Sequence, residues 1–311
     1  MINICFMGNP KFALQTLDVL YKDENINLKL VVSGKDKRRS RNKFSPTLVK
    51  KYAEENGIRV ETPDSVNTKE FVGFLKDLEI DYIVVVAFGQ LIKDDLLDSF
   101  KDRIINLHPS LLPLYRGASP MQFTLLNGDE KTAATAMLIE KGMDSGDILV
   151  KKEMDVLDTD DYFDLEEKLG KMGAEAIREA ILNYDELYEN REVQDDSKAT
   201  YCSKIDKKMG RIDWRKSSSD ILNKIRALVS YPVAFFTYQG KNVKVHRASM
   251  ADKKGRPGEI LAANKDDKII ISTGDSSIKI EKIQFPGKKA MDTASFLLGN
   301  DIEVGLILDN E

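Results

Sequence analysis

The chain has 311 residues, 42% hydrophobic and 32% charged, with a formal net charge of −4, a composition of ordinary globular proteins rather than of disordered or fibrous ones. That length accommodates about two domains, each able to bury its own core. No run of about eighteen apolar residues occurs, and MINICFMGNPKF lacks the basic flank and small-residue cleavage site of a secretory signal, so the expectation is a cytosolic protein without a membrane span.

In chain order, NICFMG (residues 3–8) reads as a short buried strand. Asn9 and Pro10 suit the cap and first position of a helix continuing through Phe12, Leu14, Leu17 and Leu20. MGNPKFA is not GxGxxG, so no dinucleotide site is expected at this first turn. LKLVVSG (28–34) is a second apolar strand. KDKRRSRNK (35–43), a loop with six Lys/Arg and one Asp, separates it from a helix around Pro46 to Asn56. An extended IRVETP and an amphipathic segment from Thr68 to Leu78 follow, and then IDYIVVVAFG, a buried strand rich in Ile and Val. After it come a helix near Lys93 to Phe100, the strand RIINLH, a helix near Ser119 to Asn127, a strand over Lys131 to Glu140, and helical segments from Tyr162 to Arg191. Strands alternating with helical segments predict an α/β domain with a mostly parallel, Rossmann-like sheet.

QDDSKATYCSK then reads as a polar bridge, which places the domains at 1–189 and 206–311 with a linker over 190–205. Beyond it a helix near Ser218 to Leu228 precedes short strands with turn signals, including a hairpin turning at Gln239 and Gly240, so the second domain reads as a smaller β-barrel. Cys5 and Cys202 belong to no CxxC or Cys/His cluster, so no disulfide framework and no metal site is expected. Cys5 reads as a buried small hydrophobe and Cys202 as a linker thiol. Charge is unevenly spread: residues 206–311 carry 19 Lys/Arg against 14 Asp/Glu, while residues 1–205 carry 28 against 37. A basic loop alone is as well explained by a solvated surface; together with a basic second domain it favours a polyanionic partner.

The chemistry concentrates at INLHPSLLPLYRG (105–117), which holds one of only two histidines. Strand alternation puts Ile104, Asn106 and His108 on one face, and Pro109 ends the ladder, so His108 stands at the strand's carboxyl end, where open α/β sheets bind ligands. An amide and an imidazole converging there can both donate hydrogen bonds to one developing oxyanion. The strand over Lys131 to Glu140 ends in KGMDSGD, whose Asp144 is placed to orient an imidazole or take up a proton. A lone NxH is more often a hydrogen-bonded strand end, and Asp between glycines is ordinary turn chemistry; their combination is what points to a site. His246, in VKVHRA, reads as a structural strand residue.

MGNPKFA, VAFGQLI, NLHPSLLPLYRGASPMQ and GMDSGDIL, in that order, resemble the folate-dependent formyltransferase superfamily. The resemblance implies a catalytic set of Asn106, His108 and Asp144. It implies a reduced-folate site lined by Ser110, Leu111, Leu112 and Pro113, with Phe88, Gln90 and Ile92 from VAFGQLI. Within the superfamily the whole chain is most similar to the methionyl-tRNA formyltransferases: the basic loop followed by SPTLVKKYAEENGI is similar to their tRNA-gripping loop, and ATYCSKIDKKMGRIDW to the start of their carboxyl-terminal tRNA-binding barrel. The pattern departs at Asn9, at Pro109 and at SYPVA. The implied activity is transfer of the formyl group of 10-formyltetrahydrofolate to initiator methionyl-tRNA by a cytoplasmic monomer, with Lys37, Arg38, Arg39, Arg41 and Lys43 contacting the tRNA. Two alternatives stay open: the same chemistry on a nucleotide-linked amino sugar, and a noncatalytic RNA-binding protein on the same fold.

Overall fold

A computed structural model describes residues 1–38 and 44–308. The chain divides into two compact units. The first comprises Met1–Pro120, Lys131–Asp155 and Leu165–Cys202, the second Met121–Glu130, Val156–Asp164 and Ser203–Glu311.

The first unit begins with β1 (Ile2–Gly8), α1 (Lys11–Lys22) and β2 (Ile26–Val32). A short hairpin, β3 (Lys37–Arg38) with β4 (Phe44–Ser45), precedes α2 (Leu48–Glu55), β5 (Val60–Glu61) and α3 (Lys69–Asp77). The two helices start where side-chain caps allow: Thr47 accepts from Lys50 N and Thr68 from Phe71 N, each cap contributing about 1 kcal/mol. Next come β6 (Tyr82–Val86), buried at all five positions, α4 (Asp94–Ser99), β7 (Ile104–His108) and β8 (Arg116–Gly117). The helix α5 (Pro120–Asn127) groups with the second unit. The chain returns through β9 (Lys131–Leu138), β10 (Ile148–Asp155), α6 (Tyr162–Leu182) and α7 (Tyr184–Glu189), and β11 (Tyr201–Cys202) pairs with β8.

Seven strands form one sheet in the order β10-β9-β7-β6-β1-β2-β5. The pairings from β5 through β2, β1 and β6 to β7 are parallel, and β9 runs antiparallel to both β7 and β10. The mostly parallel, Rossmann-like character expected from the alternating pattern is therefore present. The strand β10 was not anticipated, because only its first three residues, Ile148 to Val150, are buried, too short an apolar run to read as a strand. One helix of this unit starts differently from the expectation. Asn9 is not a cap for α1; its Oδ1 accepts from Gly34 N at 2.7 Å and Ser33 Oγ at 3.0 Å, and its Nδ2 donates to Phe88 O. Asn9 so ties the carboxyl ends of β1, β2 and β6 together where the strand order reverses. Residues 190–205, expected as a linker, are knitted into the first unit as far as Cys202. Glu192 and Ile148 exchange backbone hydrogen bonds, and β11 lies along β8. Cys202 is buried, its Sγ accepting from Ser119 N, so it is a packed thiol and not a linker thiol.

In the second unit α8 (Ser218–Ala227) precedes β12 (Phe235–Tyr238), β13 (Lys241–Ala251), β14 (Ile260–Asn264), β15 (Lys268–Ser272) and β16 (Ser277–Gln284). After them come β17 (Met291–Asp292) and α9 (Thr293–Leu297). The strands form an antiparallel sheet in the order β12-β13-β16-β15-β14, with β17 on β16. Bulges after Val245 and Arg247 in β13 and after Ile260 in β14 bend the strands, curling the sheet into an OB-like half-barrel around Trp214, Phe236, Val245, Ile271 and Ile280. The hairpin turns at Gln239 (φ 48°) and Gly240 (φ 73°), the mirror-type turn that matches strand twist. His246 shares a 3.0 Å hydrogen bond with Gln284 across β13 and β16, a structural role as expected.

Candidate active site

The first unit positions Asn106 and His108 through β7, an interior strand paired with β6 on one side and β9 on the other. Its register fixes both side chains: Asn106 lies opposite Met137 and His108 opposite Thr135. Asn106 is half-buried, and its side-chain amide has no hydrogen-bond partner among the described residues. An uncommitted primary amide at that depth is suited to a ligand oxygen.

His108 is only 4% exposed. Its Nε2 lies 2.9 Å from the carbonyl oxygen of Tyr115, which can only accept, so Nε2 carries a proton and donates. Its Nδ1 lies 3.7 Å from Asp144 Oδ2, beyond hydrogen-bond distance but within electrostatic reach. The same carboxylate oxygen accepts from Gly117 N at 2.8 Å. Asp144, from a later turn of the chain, is thus brought to the end of β7 that carries Asn106 and His108. One feature differs from the expectation that a His108 N–H stands free for an oxyanion: the Nε2 proton is already given to Tyr115, and Nδ1 is the nitrogen turned to the acid.

Two glycines, Gly117 in β8 and Gly146 in the turn that carries Asp144, are required around the acid. At Gly117 φ is 124° and an added Cβ would lie 2.3 Å from the Cys202 carbonyl oxygen; at Gly146 it would lie 2.0 Å from Leu138 O. Arg191 Nε holds Asp147 at 2.7 Å, and Gln194 Nε2 donates to the carbonyls of Asp144 and Gly146. Glu140, just before this turn, has its carboxyl pushed up by burial and by the Asp147 charge.

The residues expected at the folate are close by in the chain but differ in what they offer. Ser110 is fully buried and its hydroxyl donates to Leu114 O at 2.6 Å, while its carbonyl accepts from Thr135 Oγ1 at 2.7 Å, so it builds the turn. Leu112 packs with Met137 and Ile148, whereas Leu111 and Pro113 are half-buried. Phe88 is buried in the core that Ile92 flanks. Gln90 spends both ends of its amide on the backbone, accepting from Val66 N at 3.2 Å and donating to Pro63 O at 3.3 Å. A ligand here meets backbone and apolar edges more than free polar side chains. In the basic loop, the backbone of Lys37 and Arg38 pairs with Ser45 and Phe44, and Arg39, Arg41 and Lys43 lie outside the described residues. The ends of the loop are held by Asp36, which lies 2.8 Å from Lys50 Nζ and raises the pKa of that ammonium, and by the Ser33 and Thr47 hydroxyls.

Cavities of about 420 and about 530 Å³ open at the opposite, amino-terminal edge of the sheet, beside Tyr184 and Lys76 and with Arg103 between them. Neither carries an uncommitted amide beside a histidine and an acid, so volume alone does not mark the site.

Comparison with known proteins decides the family. Residues 2–181 match the formyl transferase family and residues 204–301 match its formyl transferase C-terminal domain. A methionyl-tRNA formyltransferase of Finegoldia magna is 42% identical over 98% of this chain and 99% of its own length. The chain belongs to the methionyl-tRNA formyltransferase family. A second member, from Halothermothrix orenii, is 39% identical over 98% of this chain and 99% of its own. In fold the chain is also similar to the N-formyltransferase from Helicobacter canadensis solved with folinic acid and dTDP-3-aminofucose. That likeness has a TM-score of 0.66 and 21% identity over 90% of this chain and 99% of that one.

Formyltransferase chemistry asks for oxygen-directed donors and a group to manage a proton. What sequence reasoning missed are the groups holding that set: the Tyr115 carbonyl, Gly117 N, Arg116 and Gln194. Gly and Arg in LYRG gave a faint signal next to the histidine motif; Gln194, in a polar stretch, gave none.

Proposed function

We propose that Asn106, His108 and Asp144 form the centre at which the chain transfers the formyl group of 10-formyltetrahydrofolate to the α-amino group of methionyl-tRNA. The product is N-formylmethionyl-tRNA for translation initiation, with tetrahydrofolate released. The observation that carries the assignment is the uncommitted Asn106 amide beside the His108 and Asp144 pair at the strand ends. As the amine adds to the formyl carbon, Asn106 Nδ2 donates to the oxygen that gains charge. His108, held by the Tyr115 carbonyl through Nε2 and facing Asp144 through Nδ1, sets the position of that carboxylate beside the formyl carbon. Asp144 takes up the proton that the attacking amine loses, directly or through water, since its carboxylate is partly exposed, and the formyl C–N10 bond then breaks as that proton passes to N10 of the departing tetrahydrofolate. Little base strength is needed, because α-amino groups titrate near 7.7 to 8.0.

Backbone and apolar edges of Leu111, Pro113 and Ile92 fit the flat rings of a reduced folate, while Ser110, Leu112, Phe88 and Gln90 shape the wall behind them. Lys37, Arg38, Arg39, Arg41 and Lys43, with the basic 206–311 region, contact tRNA phosphates, giving affinity that falls with salt. The segment 1–189 is then the catalytic domain and 190–205 its support. A cytoplasmic monomer is the form in which we propose the chain to work. The three groups come from one unit of the chain, and no helix among the described residues is long and apolar enough to cross a membrane.

The test is formyl transfer by purified protein from 10-formyltetrahydrofolate to charged initiator methionyl-tRNA, with a nucleotide-linked amino sugar as parallel acceptor. Formyl on the tRNA alone is the expected result; formyl on the sugar reassigns the acceptor, and tRNA binding without transfer removes the catalytic role.

A further inference from the structure

We propose that Gln194, seated on Arg116, is a positioning residue for Asp144, so that the segment after the last helix of the first unit completes the active site from behind. The inference rests on the site reading above and goes beyond it to groups outside the reacting set. Both acceptors that face His108 come from non-glycine residues in the left-handed region, Tyr115 at φ 58° and Asp144 at φ 48°. Such conformations persist only where the surroundings over-determine them. Residues 194–200 do this for both. Gln194 Nε2 donates to Asp144 O at 3.0 Å and to Gly146 O at 2.7 Å, and Thr200 Oγ1 accepts from Tyr115 N at 2.9 Å.

The orientation of the Gln194 amide is dictated by its neighbours. Arg116 Nε and Nη2 lie 3.0 and 2.9 Å from Gln194 Oε1 and can only donate, while the two loop carbonyls can only accept. A carboxylate there would oppose two carbonyl oxygens, and an apolar side chain would release all four partners. Gln194 is 7% exposed and Arg116 2%. The guanidinium's ion partner, Asp196 at 2.8 Å, has a side chain 82% exposed, so the charge is buried mainly against a neutral amide. Burying a guanidinium in that way is a poor route to stability, which well-packed apolar side chains would serve as well. Its use is geometric: Arg116 aims Gln194, and Gln194 sets the backbone from which the Asp144 carboxylate reaches Gly117 N and His108.

A double-mutant cycle on the full chain, measuring transfer from 10-formyltetrahydrofolate to methionyl-tRNA, tests this. Gln194→Ala is expected to lower kcat about tenfold or more while leaving KM for both substrates within about twofold. The loss should persist in the Asn106→Ala background and shrink to about twofold or less in the Asp144→Asn background, because the acid it positions is gone. Gln194→Glu should be at least as damaging as Gln194→Ala, and Gln194→Met, which keeps the volume, replaces the alanine variant if that one does not fold. Equal losses in both backgrounds, or unchanged kcat in a folded Gln194 variant while Asp144→Asn is impaired, would overturn the positioning role alone. Wild-type turnover in Asp144→Asn would instead overturn the site reading on which it rests.

Discussion

Asn106 and His108 ride on an interior strand whose neighbours on both sides fix their positions through backbone ladders, whereas Asp144 stands on an open turn in a left-handed conformation. The first pair needs only the sheet; the acid needs Gly117 N, Gly146 and side chains from residues 191 and 194. A strand supplies rigid donors from local pattern, while a carboxylate that must approach an imidazole without bonding tightly to it is placed by a loop and its braces. The strand half should therefore tolerate side-chain truncation without unfolding, and the loop half should be sensitive to its backbone.

The largest expected effect tests the strand half. Asn106→Ala should lower kcat by a factor of about 10² to 10³, the usual cost of losing one oxyanion donor, and His108→Ala, which removes the imidazole that faces Asp144, should also cause a large loss of turnover. Asn106→Ala should do so with almost no change in melting temperature, since its amide bonds nothing in the described residues; a His108→Ala enzyme with normal turnover would remove the catalytic assignment.

Two loop substitutions sharpen the contrast. Gly146→Ala must shift the turn, because its Cβ would overlap the Leu138 carbonyl, and should reduce kcat about tenfold or more and lower the melting temperature. Asp144→Asn, a residue that tolerates left-handed backbone, should keep the melting temperature and still lose turnover. If both variants behaved alike in stability and rate, backbone and carboxylate would not be separable.

Smaller effects are expected away from the centre. Neutralising Lys37, Arg38, Arg39 and Arg41 together should weaken methionyl-tRNA binding and make its dependence on log salt shallower by up to about 3, with kcat at saturating tRNA within about twofold. Unchanged salt dependence would remove the loop from the tRNA interface. The thiols give the smallest signal. Burial raises the pKa of both Cys5 and Cys202, so the protonated thiol persists through pH 8 and a thiol reagent should react slowly until denaturant exposes them. Rapid labelling of the native chain would show that one of them is reached by solvent.

Much of the fold was legible because its strands are written in local pattern: IVVV for β6, RIINLH for β7, and the Gln239 and Gly240 turn of the second unit. What local pattern missed has a common cause. In β10 the apolar run is cut short where the strand reaches the sheet edge; Asn9, next to Pro10, has the signature of a cap but is claimed by Gly34 and Phe88. Residues 190–205 are polar enough to read as a linker, yet Glu192, Gln194 and Cys202 are bonded into the first unit. Gln90 and Ser110 were expected at the folate from the resemblance alone, and their polar atoms turn inward to the backbone.

From the sequence by itself came the alternation that builds the sheet, the separation of basic from acidic regions, and the three groups Asn106, His108 and Asp144 that suit formyl transfer. Only the tertiary structure decided that His108 Nε2 gives its proton to Tyr115, that Gly117 N holds Asp144, and that Arg116 and Gln194, from well before and well after it in the chain, brace the turn. Periodicity encodes which face of an element is buried, and that is a property of neighbours in the chain. A hydrogen bond depends on the distance and angle between two groups wherever they come from, and those are set only when the sheet, the turn and the returning segment have packed.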